Sequence, residues 1–181
     1  MSDTLKPYSM ITDFVTGREI PNVGAEANRQ AVEQYLVDEK GYSKADIAVD
    51  VKLEMSIADK PYRSQVDLVV RVDSSRPPIM AIKCAAGSLG SREREIVAAA
   101  RLLDDYQIPL AVVSDGNSAI VLDTVSGKKT GEGLAAIPSK EAAGRLLDSH
   151  RPVSLAPDRR EREKLIFRTF DSDNVNVQRN I

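Results

Sequence analysis

The chain has no tryptophan, one cysteine, one histidine and only 4% aromatic residues among its 181. The single cysteine, Cys84, excludes an internal disulfide, and the lone His150 excludes a histidine-rich metal site, so any metal chemistry has to use carboxylates. Apolar runs are far shorter than a bilayer span requires, and the opening residues MSDTLKPYS carry no apolar signal core. A cytoplasmic protein with no membrane contact is the simplest expectation. An excess of one charge is missing too: 25 Lys and Arg against 27 Asp and Glu leave a formal net charge of −2. No whole-molecule positive field points to nucleic acid, and an anion-binding face has to be a local patch.

What is present is an orderly alternation of apolar patterns, in a length that buries one good core. Met10 to Val15 read as a short strand ending at the turn Thr16-Gly17. From about Ala25 to Glu39, Ala27, Ala31, Val32, Tyr35 and Leu36 recur at helical spacing, and Gly41 follows where a helix stop is expected. Three β-rich runs come next, Ile47 to Ile57, Val66 to Val72 and Ile79 to Cys84. The stretch Asp73-Ser74-Ser75-Arg76-Pro77-Pro78 makes the last two an antiparallel hairpin. A helix from Ser91, read as its cap, to Tyr106 is followed by strands Ile108 to Ser114 and Ala119 to Asp123 around the turn Asp115-Gly116-Asn117, then by a helix Lys140 to Asp148. This order predicts an α/β (α+β) domain over residues 1–150, with a mixed central sheet flanked by helices. Residues 151–181 read as a charged C-terminal arm: Asp158 to Lys164 is a solvated helical stretch or a partner-binding segment, and the tail to Ile181 is polar.

Within the segment IMAIKCAAGSLGSRERE, Ile79 to Glu95, a lysine closes an apolar strand. An ammonium in a sheet needs water or a carboxylate. A hairpin centred on Ser75 sets Asp67 directly across from Lys83, on the face that also carries Val69, Arg71, Ile79 and Ala81. The opposite face, Leu68, Val70, Val72, Met80, Ile82 and Cys84, is apolar core. On spacing alone, Asp67–Lys83 reads first as a plain cross-strand ion pair. On the next helix, at about 100° per residue, Glu95 falls near the centre of the stripe formed by Ile96, Ala98, Ala99, Leu102, Leu103 and Tyr106. Counted from Ser91, it is one residue too late for a capping box. It needs another partner, and Lys83 is the candidate. Cys84 reads as a small buried hydrophobe, His150 as a loop residue. Ser126-Gly127-Lys128-Lys129-Thr130 lacks the spacing of a phosphate loop.

The runs GAEANRQAVEQYLVDEKGYSKADI, RSQVDLVVRV, PIMAIKCAAGSL, EIVAAARLL and PLAVVSDG, taken in order over roughly Tyr8 to Gly127, resemble the N-terminal nuclease domain of type I restriction enzyme R subunits, a branch of the PD-(D/E)xK superfamily. The resemblance implies a restriction-endonuclease-like core. It also implies metal-dependent cleavage of DNA, in which two carboxylates hold Mg²⁺ (or Mn²⁺) and the lysine two residues after the second orients or activates the attacking water. Carried over, Asp67 is the first ligand, Lys83 the lysine and the Ile82 carbonyl a further ligand. The second carboxylate position is Ala81. Family members carry Gln-x-x-x-Tyr on the following helix, where this chain has Glu95 and Ala99.

Two readings stand. In one, Asp67, Glu95 and Lys83 form a rearranged metal site, with Glu26 and Gln30 of the Glu-x-x-Arg-Gln helix opening as outer contacts and Arg63, Arg92, Arg94 and Arg101 lining a phosphate-facing edge. In the other, Asp67 and Glu95 neutralise Lys83 in a site without metal, and Glu26 is a solvated or helix-dipole residue. The chain is too short for the motor domains of a restriction subunit and is expected to be a stand-alone relative of this one domain. It is either a weakened nuclease or a non-catalytic module for nucleic acid or a protein partner held by the C-terminal arm. A homodimer remains open.

Overall fold

A computed structural model describes residues 8–172. The N-terminal residues form a two-stranded antiparallel sheet of their own, β1 (Met10–Thr12) and β2 (Glu19–Pro21). The strand expected to run to Val15 stops at Thr12, because Asp13 Oδ1 accepts from both the amide and the hydroxyl of Thr16 and folds the chain into a turn. Helix α1 (Glu26–Asp38) follows. Next come β3 (Ile47–Ile57), β4 (Lys60–Val70) and β5 (Met80–Cys84) as an antiparallel meander.

β4 starts six residues ahead of the apolar run that marked it in the sequence. Its polar half, Lys60 to Gln65, pairs with β3 across a two-residue turn in which Ala58 and Asp59 both take positive φ, 49° and 62°. Such a turn matches the twist of the strands it joins. Helix α2 (Glu93–Leu102) then crosses to β6 (Leu110–Ser114), β7 (Ala119–Asp123) and β8 (Lys129–Glu132). Ser91 does not cap α2: it lies in a 3-10 turn and its hydroxyl donates to the Ser88 carbonyl. Helices α3 (Lys140–Ser149) and α4 (Pro157–Ser172) complete the chain.

The six main strands lie in the order β3-β4-β5-β6-β7-β8. Two antiparallel three-stranded meanders meet in one parallel pairing, β5 with β6, bridged by α2. This mixed sheet with four helices is the α+β, nuclease-like core that the sequence predicts. One face carries Leu68, Val70, Met80, Ile82, Val112 and Val121 under Val32 and Leu36 of α1 and Ala143 of α3. The other carries Val69, Ala81, Ala111, Val113 and Leu122 under Ile96 to Leu102 of α2 and Phe167 of α4. At Gly116, φ +85°, a Cβ would stand 2.6 Å from that of Ala31, so α1 and the β6–β7 turn approach too closely for any side chain there.

α4 is not the freely solvated helix expected from its charge. Glu163 and Phe167 are buried against α2, and Asp171 accepts from Tyr62 Oη at 2.5 Å and Ser64 Oγ at 3.0 Å. Its charged sequence hides one seam, Glu163 to Phe167, at helical spacing. The rest of the expected polar tail, from residue 173, lies outside the described residues. Among these, no helix is long and apolar enough to cross a membrane.

Candidate functional site

The pairs Leu68–Ile82 and Val69–Ala81 set the register of β4 and β5, so the next step of the ladder brings Asp67 beside Lys83. Asp67 is buried, and its Oδ2 accepts from the Cys84 amide at 2.8 Å and lies 3.8 Å from Lys83 Nζ. Glu95, in the first turn of α2, points to the sheet and is 3% exposed. Its Oε1 is 3.2 Å from Lys83 Nζ, and its Oε2 is 3.5 Å from Arg92 Nη1 at the rim. One lysine, 17% exposed along its side chain, thus spans two buried carboxylates from different layers. Ala81, on the same face, is fully buried in the core under α2. Ile82 points the other way, into the α1 face.

The sequence-predicted residues divide around this point. Lys83, Asp67, Glu95 and Arg92 come together. Arg63 does not: it sits on the outer half of the β3–β4 hairpin, 81% exposed along its side chain, with Glu54 as its partner. Arg94 is exposed. Arg101 faces inward rather than toward a substrate edge: its Nη1 meets Glu163 Oε1 at 2.6 Å, and Nε and Nη2 donate to the carbonyls of Thr124 and Val125.

Glu26 is not on a solvated face. It is buried and pairs with Arg29 Nη2 at 2.6 Å. Arg29, itself 1% exposed, also meets Asp13 at 3.2 Å, Asp50 at 3.0 Å and, more loosely, Glu33 at 3.8 Å. The polar side of α1 therefore turns toward the N-terminal hairpin and β3, not toward water. Gln30 has both amide ends in use: Oε1 accepts from the Phe14 amide at 2.6 Å, and Nε2 donates to Asp13 at 3.2 Å. Asp50 sits opposite Asp67 in the β3–β4 hairpin with φ +52°, a left-handed residue in mid-strand, and its carboxylate also accepts from Gln65. Val49 packs on the α1 face and Val51 on the α2 face, so the strand changes sides at Asp50.

Burial would raise the Asp13 carboxyl, but the hydrogen bonds from Thr16 and Gln30 and the Arg29 charge hold it below its ordinary range. Glu33 has weaker support. It is completely buried, and among the described residues its hydrogen-bond donor is the Val15 amide, at 3.2 Å. Burial, reinforced by the Asp13 charge, pushes it up to about 7 against the pull of Arg29. Burial likewise raises the Cys84 thiol. Sequence reasoning passed over Asp13, Arg29, Glu33 and Asp50 as a cluster. A signal was present in Glu26, Arg29 and Glu33, which fall on one side of a helix at i, i+3 and i+7.

For a divalent cation the fit is poor. The two carboxylates beside Lys83 are already turned onto it, Ala81 offers no ligand, and among the described residues no three Asp, Glu, His or Cys side chains are placed to hold a metal ion. Residues 24–138 match the family model described as type I restriction enzyme R protein N terminus. No curated protein matches the chain, and no solved structure does.

Proposed function

Because the chain belongs to the type I restriction enzyme R protein N-terminus family, we propose that it is a nuclease-fold domain in which metal-dependent DNA cleavage is lost, and which contacts DNA without cutting it. The observation that carries this reading is the buried Asp67–Lys83–Glu95 bridge beside Ala81. A lysine committed to two carboxylates is a poor activator of water, and two carboxylates committed to a lysine are poor ligands for Mg²⁺. Arg92 at the rim and Arg94, exposed on the same turn of chain, are the cations placed to meet a phosphate backbone.

A plasmid and a single-stranded DNA incubated with Mg²⁺ or Mn²⁺ test the reading. The wild type is expected to leave both intact, while fluorescence anisotropy reports salt-sensitive binding of an oligonucleotide that weakens in Arg92→Ala. Metal-dependent cleavage by the wild type, lost in both Lys83→Ala and Glu95→Ala, would overturn it in favour of a rearranged metal site with Glu95 as the second acid.

A further inference from the structure

The β1–β2 hairpin is not bonded into the main sheet. Its hold on the body runs through one short turn. The Phe14 amide donates to Gln30, the Val15 amide to Glu33, and Asp13 reaches Arg29 and Gln30, while the Lys44 ammonium sits 4.1 Å over the Phe14 ring. Val15 adds a partly buried apolar contact with the α1 core. Beneath the hairpin a cleft of about 370 Å³, lined by Ile11, Thr12, Phe14, Gln30, Gln34 and Lys44 among others, separates it from α1. The hairpin is therefore held mainly by polar contacts, and one of them is a carboxyl that it seals from water.

The groups facing Glu33 are Asp13 from the hairpin, Glu26 and Arg29 from α1, Asp50 from β3 through Arg29, and the Cys84 thiol of β5. Docking brings the Asp13 carboxylate toward Glu33 and removes its water. We propose that the β1–β2 hairpin is a proton-linked flap, docked across α1 while Glu33 carries a proton and lifted more often once Glu33 ionises. This inference is independent of whether the Lys83 cluster binds metal or DNA.

The sign follows from linkage. A carboxyl raised from 4.5 to about 7 in the docked state favours docking fully below its ordinary value; that gain declines as the pH rises toward 7 and is gone above it. Between pH 5.5 and 8.5 the docked-to-lifted ratio is expected to fall about thirtyfold. Amide hydrogen exchange on the full chain reads this directly, as protection factors corrected for intrinsic rates. Phe14 and Val15 are expected to lose about tenfold or more over that range, while Val112 and Val113 of β6 keep theirs. Glu33→Gln, which retains an oxygen for the Val15 amide, is expected to flatten the response.

Unchanged protection of Phe14 and Val15 in the wild type, or the full slope persisting in Glu33→Gln, overturns the proposal. Should the variant not fold, the ¹³C carboxyl titration of Glu33 in the wild type decides. A midpoint near 7 supports the flap, and one in the ordinary carboxylate range overturns it.

Discussion

Two charge clusters flank the middle of the β3–β4–β5 meander, and they solve the same problem differently. Around Lys83, two cations, the lysine and Arg92, meet the two carboxylates of Asp67 and Glu95, and the group opens to water at the Arg92 rim. Around Arg29, one guanidinium stands among Asp13, Glu26, Glu33 and Asp50, under a hairpin that excludes water. The first is balanced by side chains; the second keeps an excess of carboxylates, which a proton on Glu33 lessens. The second is the more deeply buried at its central cation, and the ratio of cations to carboxylates separates the two further.

The largest effect that would break the comparison is removal of the buried cation. Arg29→Met leaves several carboxylates in a dry pocket and is expected to cost about 3–5 kcal/mol in urea unfolding at pH 7, with much of the loss recovered at pH 5 as the carboxyls take up protons. Next comes Glu33→Gln. The raised carboxyl destabilises the fold progressively as the pH climbs from about 4.5 to about 7 and by a constant amount above that, so the variant should be more stable than wild type by up to about 3 kcal/mol at pH 8 and nearly equal to it near pH 4.5. Equal stability curves at all pH values would mean that Glu33 is an ordinary carboxylate.

On the balanced side, Lys83→Met should cost less, about 1–3 kcal/mol, because Arg92 and the Cys84 amide still serve Glu95 and Asp67. A loss as large as that of Arg29→Met would erase the distinction between the two clusters. Smallest is Arg63→Ala, on the exposed pair with Glu54, expected within about 0.5 kcal/mol of wild type.

The Lys83 cluster was legible in the sequence because its geometry is local. A turn centred on Ser75 fixes which residue of β4 meets Lys83, and helical phase alone puts Glu95 toward the sheet. The Arg29 cluster was not, because its acids come from the N-terminal turn, one helix and a left-handed residue of β3, and no short window holds them together. Glu26 was misplaced for a related reason. Opposite an apolar stripe usually means solvent, but here another element covers that side. The succession of helices and main strands, and the mixed character of the sheet, followed from the apolar runs. The polar half of β4, the short edge strand β8 and the docking of α4 did not, since each depends on pairing or on a buried charge, Arg101 with Glu163, that propensity does not reveal.

The single parallel pairing between β5 and β6 has a kinetic consequence. Each meander closes through short turns, whereas joining them requires the chain to fold α2 across the sheet and align Met80 with Leu110. Loop closure of that span follows the formation of the meanders, so the side-chain contacts at the seam, Lys83 with Glu95 among them, are expected to mature only after the rate-limiting step. Substitutions there should steepen escape from the native state and leave the refolding limb of a chevron almost unmoved, whereas a substitution such as Leu68→Ala inside the first meander should slow refolding. The candidate site would then be the last part of the molecule to assemble and the first to open.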